Sequence, residues 1–330
     1  MAIELAVTFP EISAQGFAHP ADRAATAAIK MVPGLERAVK LFTEHGYERR
    51  LRQLLLGNAV RVGPDQLPVV WGLQQRCATV LDVDPCPRLY VTQEPVGQGL
   101  TIGANQPVTL VSSGLVSSYD EDELGAVLAH EMGHVLAEHV GLTTTFQLVQ
   151  MILQGFVRSL PFAGLPLVAL YYALLEWSRA AELTADRASA IVSGEPLLLC
   201  RTLMRIAGGP VKDLDLDAFI RQATEYNAEA DPFARYSRFS AEISGTHPFP
   251  VRRVRELIEW VSAGELDRIR SGSYLRKGQE PPASAEFDAA FRHYRARFAA
   301  ILERAGDGIS SVFDRVSTWF SGNEADDNPS

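Results

Sequence analysis

Ala129-His130-Glu131-Met132-Gly133-His134 is the stretch from which the rest of this chain can be read. Two histidines four residues apart project from one face of a helix, about one turn from each other, so both imidazoles can reach one metal ion. Glu131 lies about 100° around the helix from His130, near enough to act on a water at the metal without taking a coordination place. That is where a general base belongs. The flank supports a helix: Asp120, with Glu123 three positions later, forms a capping-box pattern ahead of Leu124, Val127 and Leu128, which puts a helix start at about residue 121. With 7 histidines in 330 residues, H-E-x-x-H would arise by chance in on the order of one such chain in a hundred, so the motif needs corroboration.

Corroboration has to come from a third ligand, because a catalytic zinc ion takes three protein ligands and leaves one position open. His139 is near in sequence, but on a continuous helix it would lie about 140° around from His134. A metzincin layout would also need glycine at Ala137 and histidine at Val140. His139 and Glu138 therefore read as polar residues on an exposed helix face. The better candidate is Glu182 in Ser178-Arg-Ala-Ala-Glu182-Leu-Thr-Ala-Asp186-Arg187, a run of helix formers without proline. Its two carboxylates, four residues apart, share one helical face. Glu182 completes a His₂Glu set for one Zn²⁺ per chain, and Asp186 is placed to accept the outer N–H of a ligand histidine and hold its tautomer.

H-E-x-x-H, then S-R-x-x-E-x-x-x-D, then Thr246-His247-Pro248 is an order and spacing that resembles metallopeptidase family 48, which includes HtpX-like and CAAX prenyl proteases. The similarity covers about residues 85–262, with Val111-Ser-Ser-Gly-Leu115 before the motif, Asp122-Glu-Leu124 at its helix start and Arg253 near the end. It implies a gluzincin fold, mainly α with a small antiparallel sheet, in which the HExxH helix and the ExxxD helix pack beside that sheet. It implies a zinc metalloendopeptidase cutting protein or peptide in extended conformation, with Glu131 catalytic and His247 near the site as a donor to the developing oxyanion. Arg179 and Arg253 also match family positions, where a salt-bridge role is at least as good a reading as a catalytic one.

The remaining sequence sets the surroundings. Residues 1–84 read as an N-terminal helical layer, 85–280 as the catalytic domain, 281–321 as amphipathic helices after Pro281-Pro282, and 322–330 as a disordered acidic tail. Between Pro85 and Ser113, short apolar runs at Leu89–Val91 and Val108–Val111 alternate with turn formers and read as the sheet. An extended substrate is expected to pair with Val108–Val111 by strand addition. Residues 140–175 carry one charge, Arg158. Membrane-bound relatives place transmembrane helices near here, but glutamines, threonines and prolines interrupt the run, which favours a buried or surface-docked helical pair over a hairpin of spans. Peripheral membrane contact through 140–175 or 286–320 is compatible with either reading.

A net charge of −9 argues against nucleic acid as a partner. Cys77, Cys86 and Cys200 show no pairing pattern, and the N-terminus has no signal-peptide pattern, so a cytoplasmic enzyme, with membrane association as the alternative, is the expectation. His19, His45 and His293 have no second ligand at useful spacing and read as surface or capping residues. The competing function is a protease-derived zinc-binding scaffold or chaperone-like module that holds clients without cutting them. Its mark would be a damaged site, whereas Glu131 and all three candidate ligands are present.

Overall fold

The structure is a computed structural model that describes residues 7–30, 48–103, 105–156, 165–209, 211–228 and 247–280. The expected linker at Pro281-Pro282, the helices over 286–320, the tail, and His45, Thr246 and His293 lie outside the described residues.

After a 3₁₀ turn at Ala14–Gly16, helix α1 (Pro20–Lys30) begins on the proline of the His-Pro step, where the missing N–H costs nothing. His19 caps this helix, its Nδ1 accepting from the Ala21 N–H. Then come α2 (Glu48–Asn58), β1 (Val60–Arg61), α3 (Pro68–Val80), β2 (Arg88–Thr92), β3 (Gly99–Ile102), β4 (Val108–Ser112) and the short α4 (Ser113–Ser118). The site helices are α5 (Glu121–Leu136), α6 (His139–Phe156) and α7 (Leu165–Ser193). They are followed by α8 (Pro196–Gly208), α9 (Leu216–Ala228), α10 (Pro250–Ser262) and α11 (Glu265–Arg270).

The sheet is mixed, in the order β1-β2-β4-β3. The antiparallel sheet expected from the sequence holds for β1–β2 and β3–β4, but β2 and β4 pair in parallel, with Leu89 opposite Thr109 and Val91 opposite Val111. The chain leaves β2, runs out to the edge as β3 and folds back as β4 into the slot between them. Two reversals restore the original direction. Short apolar runs bounded by turn formers mark which segments are strands but not the order in which they lie.

Helix α5 starts where the capping box placed it: the Glu123 N–H donates to Asp120, the Asp120 N–H donates to Glu123, and Glu121, Asp122 and Glu123 put negative charge at the positive end of the helix. From Ala126 to Gly133 every residue is buried, so α5 is a central helix rather than an amphipathic surface one. It lies in one core with Phe9, Ile12, Val70, Leu89, Ile191, Leu203 and Leu257, drawn from both ends of the described chain.

The tightest approach in that core is between α5 and α7. A Cβ at Gly133 would lie 2.6 Å from the Ala188 Cβ and 3.1 Å from the Ala185 Cα, so only glycine lets the two helices come this close. Phe146 and Val149 of α6 pack with Leu174, Leu175 and Trp177 of α7 and with Ala25 and Ile29 of α1. Among the described residues no helix is long and apolar enough to cross a membrane.

Candidate metal centre

Helix α5 supplies His130, Glu131 and His134, and α7 supplies Glu182 and Asp186. His130, Glu131, Glu182 and Asp186 are buried, and His134 is nearly so. His130 Nε2 and His134 Nε2 lie 3.2 Å apart, and the two Glu182 oxygens are each 3.4 Å from one of them. Two ligands held about 2.0–2.1 Å from a tetrahedral zinc ion are about 3.3 Å apart, a separation the two nitrogens match, while Glu182 turns a different oxygen to each of them, Oε2 to His130 and Oε1 to His134.

The donor chemistry also fits a metal. The outer nitrogen of His130 is 3.0 Å from Asp186 Oδ1, and that of His134 is 2.9 Å from His139 Nδ1. With each outer N–H donated outward, the inner lone pairs face each other at close range. That arrangement suits a shared cation. Among the described residues, His130, His134 and Glu182 form the group able to hold a metal ion.

Glu182 and Asp186 keep their charges through Arg253 of α10. Arg253 makes a two-pronged contact with Asp186, Nε to Oδ2 at 2.8 Å and Nη2 to Oδ1 at 2.6 Å, while Nη1 reaches Glu182 Oε2 at 3.2 Å. Burial opposes charge on Glu182, but the nearby His247 and Arg253 hold its carboxyl well below the usual range. Burial likewise opposes charge on Asp186, and the Arg253 guanidinium outweighs it. Arg179, the other arginine singled out from sequence, pairs instead with Glu176 at 2.5 Å.

Glu131 sits against strand β3. The Thr101 hydroxyl donates to Glu131 Oε2 at 2.7 Å, and a Cβ at Gly99 would lie 2.7 Å from Glu131 Oε1. Two residues apart on one strand face, Gly99 and Thr101 give the carboxylate room and a fixed donor. His247 lies at the rim, its side chain 62% exposed and its Nε2 3.5 Å from Glu182 Oε1.

Two expectations are corrected here. Val108–Val111 cannot receive an added strand, because β4 is already hydrogen-bonded on both sides, by β2 and by β3; among the described residues the edge strand next to Glu131 is β3. His139 is buried rather than on an exposed face, because the helix does not continue through it. The chain turns at Ala137 and at Glu138, whose φ is 58°, and restarts at His139. Glu138 itself is exposed, as read. Sequence reasoning also passed over Thr101, Asp22 and the way Arg253 ties both carboxylates. A family position was the signal for Arg253; Thr101 and Asp22 carried none.

The family model described as Peptidase family M48 matches residues 75–261. Plastoglobule-localized metallopeptidase 48, chloroplastic, of Arabidopsis thaliana is 34% identical over 258 residues, covering 76% of this chain and 74% of its own. Protease HtpX homolog of Moorella thermoacetica is 28% identical over 249 residues, covering 67% of this chain and 81% of its own. Protease HtpX homolog 2 of Methanosarcina acetivorans is 27% identical over 219 residues, covering 59% and 74% respectively. No solved structure matches.

Proposed function

This chain belongs to peptidase family M48, and from that premise we propose that it is a zinc-dependent endopeptidase with His130, His134 and Glu182 as metal ligands and Glu131 as general base. The observation that carries the reading is a pair of imidazole nitrogens 3.2 Å apart with one Glu182 oxygen 3.4 Å from each, beside a second glutamate, Glu131, held by a threonine. Two nitrogens and one oxygen, with a position left open, are the donor set of catalytic zinc.

Zinc, when bound, supplies the Lewis acidity that acidifies a water and polarises a carbonyl. Glu131, aimed by Thr101, takes the proton of the attacking water and passes it to the leaving amine. Asp186 holds His130 in the tautomer that turns Nε2 inward, and Arg253 keeps Asp186 and Glu182 ionised. His247, at the exposed rim, is the donor to the developing oxyanion.

Substrate lies extended along β3, the edge strand among the described residues. An edge strand reads main chain at any point along a polypeptide and needs no chain terminus, which supports internal cleavage and weak side-chain preference. Unfolded or extended protein segments, the substrates of protein quality control, fit such a site.

The test is metal content by elemental analysis together with cleavage of casein or an unfolded peptide. Wild type is expected to bind one zinc and cut. Glu131→Ala should keep the metal and lose cleavage, and Glu182→Ala should lose metal affinity. Zinc bound without cleavage by wild type moves the scaffold reading ahead, and no zinc bound refutes the ligand assignment.

A further inference from the structure

The second ligand histidine is backed by a chain of groups that leads out of the residues matched by the family. His134 Nδ1 is 2.9 Å from His139 Nδ1, and His139 Nε2 is 2.9 Å from Asp22 Oδ2. Asp22 sits on α1 and is buried; it also accepts from the Thr184 hydroxyl of α7 at 2.6 Å and from Thr26 at 3.1 Å. Trp177 closes the cluster, its ring edge-to-face with His139 and its Nε1 donating to Thr26.

Proton bookkeeping allows one arrangement compatible with a metal on His134. Metal on Nε2 leaves the proton on His134 Nδ1, so His139 Nδ1 must accept and His139 Nε2–H must donate to Asp22. Every donor and acceptor in the chain is then used. A reversed chain would put the proton on His134 Nε2 and block the ligand position.

We propose that His139 and Asp22 are positioning residues for the metal ligand His134, and that the N-terminal helix α1, which lies before the residues 75–261 matched by the family, is thereby part of the metal centre. The inference rests on His134 being a zinc ligand, as read above. It accounts for a break in the helix at Glu138, which swings His139 back under His134.

Zinc affinity, measured by chelator competition on full-length protein, tests it. His139→Phe keeps a ring but neither accepts nor donates, and is expected to weaken zinc binding by about 10–100-fold. His139→Gln, which offers one acceptor and one donor, should recover most of that loss, and Asp22→Asn should weaken binding in the same direction. Imidazole ¹⁵N spectra of the zinc-loaded wild type should show His134 protonated at Nδ1 and His139 at Nε2, a signature that packing alone would not set. A folded His139→Phe with wild-type affinity overturns the proposal. If that variant does not fold, Asp22→Asn decides on the same readout, with unchanged affinity overturning it. A wild type that binds no zinc removes the ligand reading as well, whereas a wild type that binds and cuts while these variants match it removes only the positioning role.

Discussion

Gly133→Ala is the change that asks most directly whether helix spacing sets this metal centre. The new methyl would stand 2.6 Å from the Ala188 Cβ and 3.1 Å from the Ala185 Cα. Contacting carbons sit about 3.5–4.0 Å apart, so α5 and α7 must separate by about 1 Å. Neither obstacle is a long side chain that can swing away; one is backbone and the other a Cβ fixed to it. Overpacking of this kind costs about 1–3 kcal/mol, while replacing glycine by alanine inside a helix returns about 1 kcal/mol. The net loss of stability is then only about 0–2 kcal/mol, too near zero to decide anything by itself. Metal binding is the sharper readout. His134 adjoins Gly133 and Glu182 lies on the opposite helix, so a separation of about 1 Å exceeds the ±0.2 Å tolerance of zinc–ligand distances several-fold. Zinc affinity should fall by at least about tenfold, equivalent to about 1.4 kcal/mol, by chelator competition at matched folded fraction. Gly141→Ala is the control: nothing lies within 4 Å of its Cβ position on α6. There the same substitution should stabilise by about 0.4–1 kcal/mol and leave zinc binding unchanged. A Gly133→Ala protein with wild-type zinc affinity would refute the argument.

Arg253→Met leaves Asp186 and Glu182 buried without their cation, and urea denaturation of the metal-free protein should show a loss of about 3–5 kcal/mol. Thr101→Val deletes the one described donor to Glu131 Oε2; kcat/KM on an unfolded-peptide substrate should drop by about tenfold, the worth of a hydrogen bond to a charged group, with zinc content unchanged. Asp120→Ala removes the capping box of α5 and should cost about 1 kcal/mol in chemical denaturation. Cleavage per folded molecule should stay as it was, since the cap lies at the end of α5 remote from the histidines.

Local rules make much of this molecule legible from its sequence. The start of α5 followed from Asp120 and Glu123, because a capping box needs only residues three apart on one chain. The pairing of His130 with His134, and of Glu182 with Asp186, followed from helical period, which places residues four apart on one face whatever surrounds them. That α5 and α7 would meet was implied by the demand of one metal ion for a third ligand.

Other features depend on contacts between segments far apart in sequence, and no local rule reports those. Short apolar runs between turn formers marked β2 and β4 as strands but could not say that β4 lies between β2 and β3, which among the described residues moves the sheet edge from Val108–Val111 to Gly99–Ile102. Helical phase placed His139 on an exposed face because it assumed a continuous helix; one left-handed residue, Glu138, turned that side chain into the core. Asp22 and His134 are 112 positions apart, and only the docking of α1 against α7 joins them through His139. The candidate ligands follow from residue type and spacing along a helix, whereas the strand edge beside Glu131 and the groups that hold each candidate ligand in place exist only once the helices and the sheet have packed.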